Sequence, residues 1–271
     1  MNRDAAIGVF DSGVGGLTVL RALREKLPEE NLLYLGDTAR LPYGTKSARS
    51  VLQYALQATR ILDKRGIKML VIACNTASAY ALDALSETHP DLPVVGVIAP
   101  GAQAACETSK SGRIGVLATE STVRAGAYEK SIANMRSGAE VHSSASPLLV
   151  GLAEEGWLAG EVPEAVIRHY LGALTEKFAP GQMDCLLLGC THFPVLAKSI
   201  EKIAGPDVAL VDSAHTTAIE VEKILGANQL RRSGGGQIRF LATDGVARFA
   251  RVGGVFLGKP LEPDQVELVD L

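Results

Sequence analysis

Two cysteines of this chain stand at the end of an apolar run and directly before polar residues. The run that leads to Cys74 reads MLVIACNT over residues 69–76, and the run that leads to Cys190 reads CLLLGCTH over residues 185–192. A single cysteine in such a place is usually a small buried apolar side chain. Two of the same construction, each at the polar end of a predicted strand, favour a functional pair of thiols.

The residues that follow each of these cysteines suit the binding of an anion. We predict that a helix begins behind each thiol, where free main-chain amides favour negative charge. The same field favours the thiolate form of a cysteine. The other two cysteines, Cys106 in a helix-period segment and Cys185 inside a predicted strand, are expected to be packing residues. The candidate substrate-binding residues at the two turns are Asn75, Thr76, Thr191 and His192.

Two further segments carry polar residues that we expect at the same cleft. In FDSGVGGLT, Asp11 and Ser12 end the first predicted strand, and the glycines behind them let the backbone turn closely around a ligand. The polar loop LGDTARLPYGTKS contains Tyr43 and Gly44, and loops of this kind commonly carry binding groups.

His192 and Glu154 are candidates for tuning the thiols. A histidine two residues after Cys190 could exchange a proton with it near neutral pH. Glu154 lies in GLAEEGW, where an acidic residue near a helix end could equally well be a solvated surface group.

Two thiols on opposite walls of a cleft suit stereochemical inversion at a C–H centre. A metal site would need closer spacing or more ligands, and a disulfide relay would need Cys-x-x-Cys. A Cys-His hydrolase would leave one thiol without a role. One thiolate can instead remove a proton from one face of a carbon while the opposite thiol delivers a proton to the other face. Identical residue types can exchange these roles near neutral pH, and hydrogen-bond donors around the carboxylate stabilise the carbanion.

Composition narrows the class of protein. The chain has 271 residues, a formal net charge of −3 and 5% aromatic residues, which disfavours a nucleic-acid-binding surface. No run of about 18 apolar residues predicts a membrane span, and the first residues lack the pattern of a signal peptide. We therefore predict a cytoplasmic protein with no nucleic-acid or membrane partner.

Short Val-, Ile- and Leu-rich runs alternate with helix-period segments, which predicts an α/β fold with mostly parallel sheets. All strands are expected to be buried in the sheet centres. A further strand is predicted after the glycine-rich segment RRSGGG. Predicted strands cover residues 6–10, 31–35, 67–73, 93–98, 113–118, 139–142, 183–188 and 207–212. Predicted helices cover residues 16–26, 47–65, 76–88, 100–108, 121–134, 161–177 and 215–225.

The order of features repeats once along the chain. Two segments are each predicted to form a strand, a turn and then a helix: IGVFDSGVGGLT from Ile7 and IGVLATESTVRA from Ile114. Further along the chain, each is followed by a strand that ends at a cysteine. The first of these is Cys74, followed by Asn-Thr, and the second is Cys190, followed by Thr-His. We predict two similar three-layer α/β domains related by pseudo-symmetry, with the active site in the cleft between them. The expected division is residues 1–97 plus 207–271 for a discontinuous first domain and 98–206 for the second.

Five motifs together resemble the glutamate racemases. They are GVFDSGVGG, YLGDTARLPYGTKS, ACNTAS, EEGW and LGCTHFP, and they occur in the order known for that family over nearly the whole chain. The resemblance implies interconversion of L- and D-glutamate without a cofactor or metal, supplying D-glutamate for bacterial peptidoglycan. It also implies a homodimer.

The resemblance assigns roles residue by residue. Cys74 and Cys190 match the two catalytic cysteines, of which the first acts on D-glutamate and the second on L-glutamate. Polar residues that tune the thiols or the substrate ammonium correspond to Asp11, Glu154 and His192. The substrate-contacting residues correspond to Asp11, Ser12, Tyr43, Gly44, Asn75, Thr76, Thr191 and His192.

The sequence departs from this family at one visible place. Ser146-Pro147 stands where relatives often carry Cys-Pro, and we expect little consequence because the position is not catalytic. The chain also shows no extension ahead of Ile7 of the kind that accompanies activation by a cell-wall precursor in some members, so we expect no such activation.

Three alternatives remain open at this point. The nearest is a racemase of the same superfamily acting on aspartate or a hydantoin, because chain-length selectivity depends on pocket volume. A different class is a non-catalytic amino-acid-binding protein with two structural cysteines. Pyridoxal-dependent racemisation would need a Schiff-base lysine and would leave the thiol pair without a role.

Overall fold

A computed structural model describes residues 2–179 and 183–271. Ten strands alternate with eleven helices in these residues. The strands are β1 (Ala6–Asp11), β2 (Leu32–Gly36), β3 (Ile67–Ile72), β4 (Val94–Gly96), β5 (Arg113–Ala118), β6 (Glu140–Ala145), β7 (Cys185–Gly189), β8 (Ala209–Asp212), β9 (Ile238–Ala242) and β10 (Val266–Leu268).

The helices cover both faces of the sheets. They are α1 (Leu17–Lys26), α2 (Ala48–Lys64), α3 (Asn75–Thr88), α4 (Ile98–Thr108), α5 (Glu120–Ala125), α6 (Ala127–Met135), α7 (Pro147–Glu154), α8 (Glu161–Thr175), α9 (Ala197–Ala204), α10 (Ser213–Ala227) and α11 (Val246–Leu257). No helix within the described ranges is both long enough and apolar enough to span a bilayer.

The strands form two sheets in which every described pairing is parallel. The larger sheet has the order β10-β9-β2-β1-β3-β4, and the smaller has the order β6-β5-β7-β8. The segment β2-β1-β3-β4 of the first sheet therefore has the same order as the whole of the second. This repetition confirms the predicted α/β class with two parallel-sheet domains, and it places the strands before Cys74 and Cys190 in equivalent positions.

Burial of apolar residues explains why these segments form central strands. All six residues of β3 and all five of β7 are buried, as expected for parallel strands covered by helices on both faces. The expectation that every strand is central was wrong for β4, β6 and β8, which lie at the edges of their sheets and have partly exposed residues; in β6 every residue is partly exposed.

The chain returns to the first sheet after completing the second. Strand β9, predicted after the glycine-rich segment, pairs with β2, and β10 pairs with β9. The predicted boundary at residue 206/207 disagrees with the structure in one respect. Strand β8 pairs with β7 in the smaller sheet, because the apolar strand that follows α9 completes that sheet before the chain crosses over.

The predicted helix over residues 121–134 is two helices in the structure. Gly126 separates α5 from α6 and has φ +60°, a left-handed conformation that glycine adopts without a steric penalty. Helices α7, α9 and α11 were not predicted. Helix α11 packs against α1 and supplies Phe249 and Phe256 to the core.

Candidate active site

A cavity of about 290 Å³ lies where the carboxyl ends of strands from both sheets meet. Cys74 follows β3 and Cys190 follows β7, and both thiols line this one cavity. This is the edge at which open parallel sheets bind ligands. The lining residues are Ser12, Leu41, Pro42, Tyr43, Gly44, Thr45, Cys74, Asn75, Thr76, Thr119, Glu120, Pro147, Val150, Gly151, Glu154, Cys190, Thr191 and His192.

Every predicted site residue except Asp11 is among those that line the cavity. Asp11 ends β1, is fully buried and lies behind the wall. Its Oδ2 accepts a hydrogen bond from the Gly13 amide at 2.9 Å. Burial raises the pKa of Asp11, although the charge of His192 and three main-chain amides oppose the increase.

Cys74 is the N-cap residue of α3. Its extended backbone conformation lets Sγ accept a hydrogen bond from the Ala77 amide at 3.4 Å, as the field of a helix N-terminus favours. The thiol also donates to Ser12 Oγ at 3.5 Å. Burial and, to a smaller extent, the charge of Asp11 raise the pKa of Cys74 to about 12. The first thiol is therefore protonated near neutral pH.

Cys190 has different surroundings. The prediction of a helix directly behind it was wrong, because only a short 3₁₀ helix (Phe193–Leu196) follows, and α9 begins later. The partner of Cys190 Sγ is instead His192 Nδ1 at 3.7 Å. The two thiols thus differ in their supporting groups, a helix N-terminus at one and an imidazole at the other.

His192 is the first member of a chain of charged groups that leads out of the cavity. Its Nε2 lies 3.2 Å from Glu154 Oε1, and Glu154 Oε2 accepts from Arg248 Nη2 at 2.8 Å. Burial by itself would lower the pKa of His192, but the contacts with Cys190 and Glu154 raise it to about 10. The hydrogen bond with His192 in turn lowers the pKa of Glu154, with Arg248 contributing less. A protonated His192 can compensate for negative charge on Cys190.

Asn75 and Thr76 form the first turn of α3 and project polar groups to the cavity wall. Asn75 Oδ1 accepts a hydrogen bond from the Tyr128 hydroxyl at 2.6 Å. The Thr76 hydroxyl lies 2.9 Å from that of Thr119 and 3.1 Å from that of Thr122. These contacts join α3 to the second α/β domain at the cavity.

The loop that carries Tyr43 and Gly44 is anchored away from the cavity. The Tyr43 hydroxyl donates to Asp37 Oδ2 at 2.6 Å, and Asp37 Oδ1 accepts from Thr243 at 2.9 Å. Gly44 packs closely on Thr119, since a Cβ at position 44 would lie 2.9 Å from the Thr119 Cβ. A larger residue at position 44 would therefore push the loop away from the opposite wall.

Several residues of this region are not among the candidates that the sequence suggested, including Thr119, Thr122, Tyr128 and Arg248. Thr119 lies in the segment IGVLATEST whose similarity to IGVFDSGVGGLT was noted, so its position carried a signal. Thr122 lies in the same segment, at the start of α5, whereas Tyr128 and Arg248 lie on helices with nothing in the local sequence that points to the cavity. Among residues 2–179 and 183–271, no group of three or more His, Cys, Asp or Glu side chains could hold a metal ion.

The protein has two parallel-sheet α/β domains, and each contributes one thiol to the same cavity. These features define the class of protein to which it belongs. The chain is a member of the Asp/Glu/hydantoin racemase family, whose family model matches residues 8–221. Within that class its close relatives are glutamate racemases, as the motifs indicated.

Three of these relatives show how similar the sequences and the folds are. A glutamate racemase of Geobacter metallireducens is 50% identical over 258 residues, which cover 94% of each chain. The crystal structure of a glutamate racemase isoform from Bacillus anthracis has a TM-score of 0.93 at 37% identity, covering 100% of this chain and 99% of that one. A glutamate racemase from Francisella tularensis in complex with D-glutamate has a TM-score of 0.89 at 35% identity, with 99% and 98% covered.

Proposed function

We propose that the protein interconverts L- and D-glutamate by moving a proton at Cα between Cys74 and Cys190, without a cofactor. The observation that carries this proposal is the opening of both thiols onto one cavity from equivalent strands of two repeated domains. Glutamate as the substrate follows from membership of the family and from relatives that are named glutamate racemases.

The proton balance of the reaction is simple. With L-glutamate bound, the thiolate of Cys190 takes the Cα proton and becomes a thiol, and the two electrons of the C–H bond pass into a planar carbanion. The Cys74 thiol then gives its proton to the opposite face and becomes a thiolate. After D-glutamate leaves, Cys74 is a thiolate and Cys190 is a thiol. This is the protonation state in which the protein can bind D-glutamate and run the reaction in reverse.

The unequal surroundings of the thiols support a resting state ready for L-glutamate. Cys74 has a pKa raised to about 12 and so starts as the proton donor. Cys190 is next to His192, whose raised pKa keeps the imidazole protonated near neutral pH. We assign to Glu154 the task of holding that imidazolium in place.

We assign binding of the amino acid to the polar groups on the wall. Ser12, Asn75, Thr76 and Thr191 offer hydroxyl and amide donors, and Tyr43 and Gly44 offer main-chain amides. Such donors, fixed before the reaction, stabilise the charge that develops on the carboxylate as Cα loses its proton. Asp11, behind the wall, is proposed to act on the substrate ammonium through its negative charge.

The cellular role that we propose is supply of D-glutamate for peptidoglycan in the cytoplasm. A homodimer remains a prediction, to be measured by light scattering of the purified protein.

The test is incubation of the purified protein with L-glutamate in heavy water, with no cofactor added. We expect D-glutamate with deuterium at Cα, and faster turnover of L-glutamate than of L-aspartate. Binding without turnover would refute the proposal in favour of an amino-acid-binding protein. Preferred turnover of aspartate would refute the substrate.

The four cysteines provide a matched set of variants. Cys74→Ser and Cys190→Ser should each lower turnover by about 10²- to 10⁴-fold, the range typical of general acid–base groups. Cys185→Ser and Cys106→Ser remove thiols outside the cavity lining and should retain racemisation. Loss of activity only in the second pair would overturn the assignment.

A further inference from the structure

Tyr128 lies at the junction of the two turns that carry the thiols, although it does not line the cavity itself. Its side chain is 1% exposed, and it is the second residue of α6, directly after the break at Gly126. Its hydroxyl reaches across to the other α/β domain and contacts Asn75, the residue after Cys74. Its ring packs against Gly189, the residue before Cys190, where an added Cβ would lie 2.8 Å from Tyr128 Cε2.

The hydrogen bond to Asn75 fixes which end of the amide faces the ligand. Tyr128 Oη lies 2.6 Å from Asn75 Oδ1. Asn75 Nδ2 has no hydrogen-bond partner among the described residues although it is buried, and Asn75 lines the cavity. A buried amide nitrogen without a partner costs free energy, so this donor is a group that a ligand acceptor would satisfy.

The surroundings of the phenol keep Tyr128 in the donor role. Burial raises the pKa of Tyr128 well above its usual range, so the phenol keeps its proton. The protonated phenol donates to Asn75 Oδ1, which leaves Nδ2 as the end of the amide that can bind a ligand. The orientation of the amide is therefore set by Tyr128 and not by the ligand.

We propose that Tyr128 is a positioning residue of this site, which turns the Asn75 amide so that Nδ2 donates to a carboxylate of the bound amino acid. The inference rests on the proposed function, since it takes an amino-acid carboxylate as the acceptor. Tyr128 itself does not contact the substrate. It acts only through Asn75, and its ring separates the Cys74 and Cys190 turns without taking part in the proton transfer.

The first experiment compares two hydroxyl deletions by steady-state kinetics with L- and D-glutamate. Tyr128→Phe keeps the ring against Gly189 and removes only the donor. Because the lost orientation weakens a hydrogen bond to a charged group, KM should rise about tenfold in both directions while kcat changes little. Tyr80→Phe is the control, because the Tyr80 hydroxyl also joins the two domains, by donating to the Ser121 carbonyl at 2.9 Å, but lies outside the cavity lining. It should leave both constants unchanged.

A double variant tests whether Tyr128 acts through Asn75 or only supports the fold. In the double variant Tyr128→Phe/Asn75→Ala, KM should equal that of Asn75→Ala alone, because Tyr128 has nothing left to orient. Additive effects of the two substitutions, or a KM for Tyr128→Phe within twofold of the wild type, would overturn the proposal.

A second variant tests the orientation even where Tyr128→Phe fails to fold. Asn75→Asp can still accept from Tyr128, but it presents a carboxylate oxygen to the ligand in place of the NH₂ group. It should bind glutamate less tightly than Asn75→Ala, whereas tighter binding than Asn75→Ala would show that an oxygen faces the ligand and would sink the inference. If the wild type does not racemise glutamate, the proposed function fails. The same comparison then runs by calorimetric titration with glutamate, with loss of affinity in Tyr128→Phe but not in Tyr80→Phe as the supporting result.

Discussion

The hydroxyl of Thr18, whose one proton is shared with the Gly15 carbonyl at 2.9 Å, lies 3.0 Å from the main-chain carbonyl of Thr191 and so joins α1 of the first domain to the residue that follows Cys190. Both residues are buried. A contact of this kind helps to hold the second thiol turn against the first domain.

Replacement of Thr18 by valine should therefore loosen this link with little change in shape. The Thr191 carbonyl loses a buried donor, and we expect about 1 kcal/mol of lost stability together with a severalfold decrease in kcat/KM. Thr59→Val is the control, since the buried Thr59 hydroxyl has no hydrogen-bond partner among the described residues. Denaturant unfolding should show it to be neutral or stabilising. Equal losses in the two variants would contradict the role given to Thr18.

Gly15 makes the closest approach between the first turn and the Thr191-His192 turn. A Cβ at position 15 would lie 2.4 Å from both His192 Nδ1 and Thr191 Oγ1, distances at which the imidazole must move. Gly15→Ala should lose about 1–3 kcal/mol of stability, as overpacked interiors do, and most of its racemase activity. At Gly13 the nearest atom is Leu41 Cδ2 at 3.5 Å, an ordinary contact. Gly13→Ala should thus be active, and an active Gly15→Ala would refute the packing argument.

Arg248 links α11 to the Glu154 carboxylate at the end of α7. Its side chain is 48% exposed, so the ion pair is screened by water and salt. Arg248→Gln should lower kcat/KM for L-glutamate by only about two- to fivefold, an effect that falls with added salt and is largely restored in Arg248→Lys.

The exposed Arg251 on the same helix supplies the control for Arg248. Arg251→Gln removes the same charge but no contact with Glu154, and it should have wild-type kinetics at all salt concentrations. If both substitutions reduce activity alike, the effect comes from net charge, and Arg248 has no particular task at Glu154.

Local pattern was sufficient to predict the strands that carry the thiols. The predicted strand over residues 67–73 is one residue longer than β3, and the predicted strand over residues 183–188 begins two residues before β7 and ends one residue before the end of β7. Apolar runs buried on both faces are hard to place anywhere except in the sheet centre. Each thiol was expected at the carboxyl edge of its own sheet, and the repeated order of features predicted two similar domains facing one cleft, so the meeting of Cys74 and Cys190 at one cavity followed from the sequence.

Contacts between distant helices could not be predicted in the same way. Arg248 and Glu154 are 94 residues apart, and Tyr128 and Asn75 are 53 apart. Their meeting depends on how α11 and α6 pack, and neither helix carries a local pattern that encodes its partner. Cys190 shows the complementary error. Its polar neighbours resemble a helix N-cap, but a short 3₁₀ helix follows and the side chain of His192 becomes the partner of the thiol.

The last prediction concerns how His192 couples the stability of the protein to pH. In the folded protein the pKa of His192 is about 10, against an ordinary value of 6.5. The folded state then binds this proton more tightly than the unfolded state. The stability from the charged imidazole is fully present below about pH 6.5 and is lost as the pH rises towards 10.

The wild type should unfold at a higher temperature than His192→Asn at low pH, and this difference should shrink as the pH rises from about 6.5 towards 10. Glu154→Gln should weaken the same trend because the Glu154 contact supports the high pKa. His169→Asn, at an exposed position, should show no such trend. A difference between the wild type and His192→Asn that stays constant or grows with pH would mean that the buried imidazole is neutral, and with it the assignment of His192 as the charge partner of Cys190 would fail.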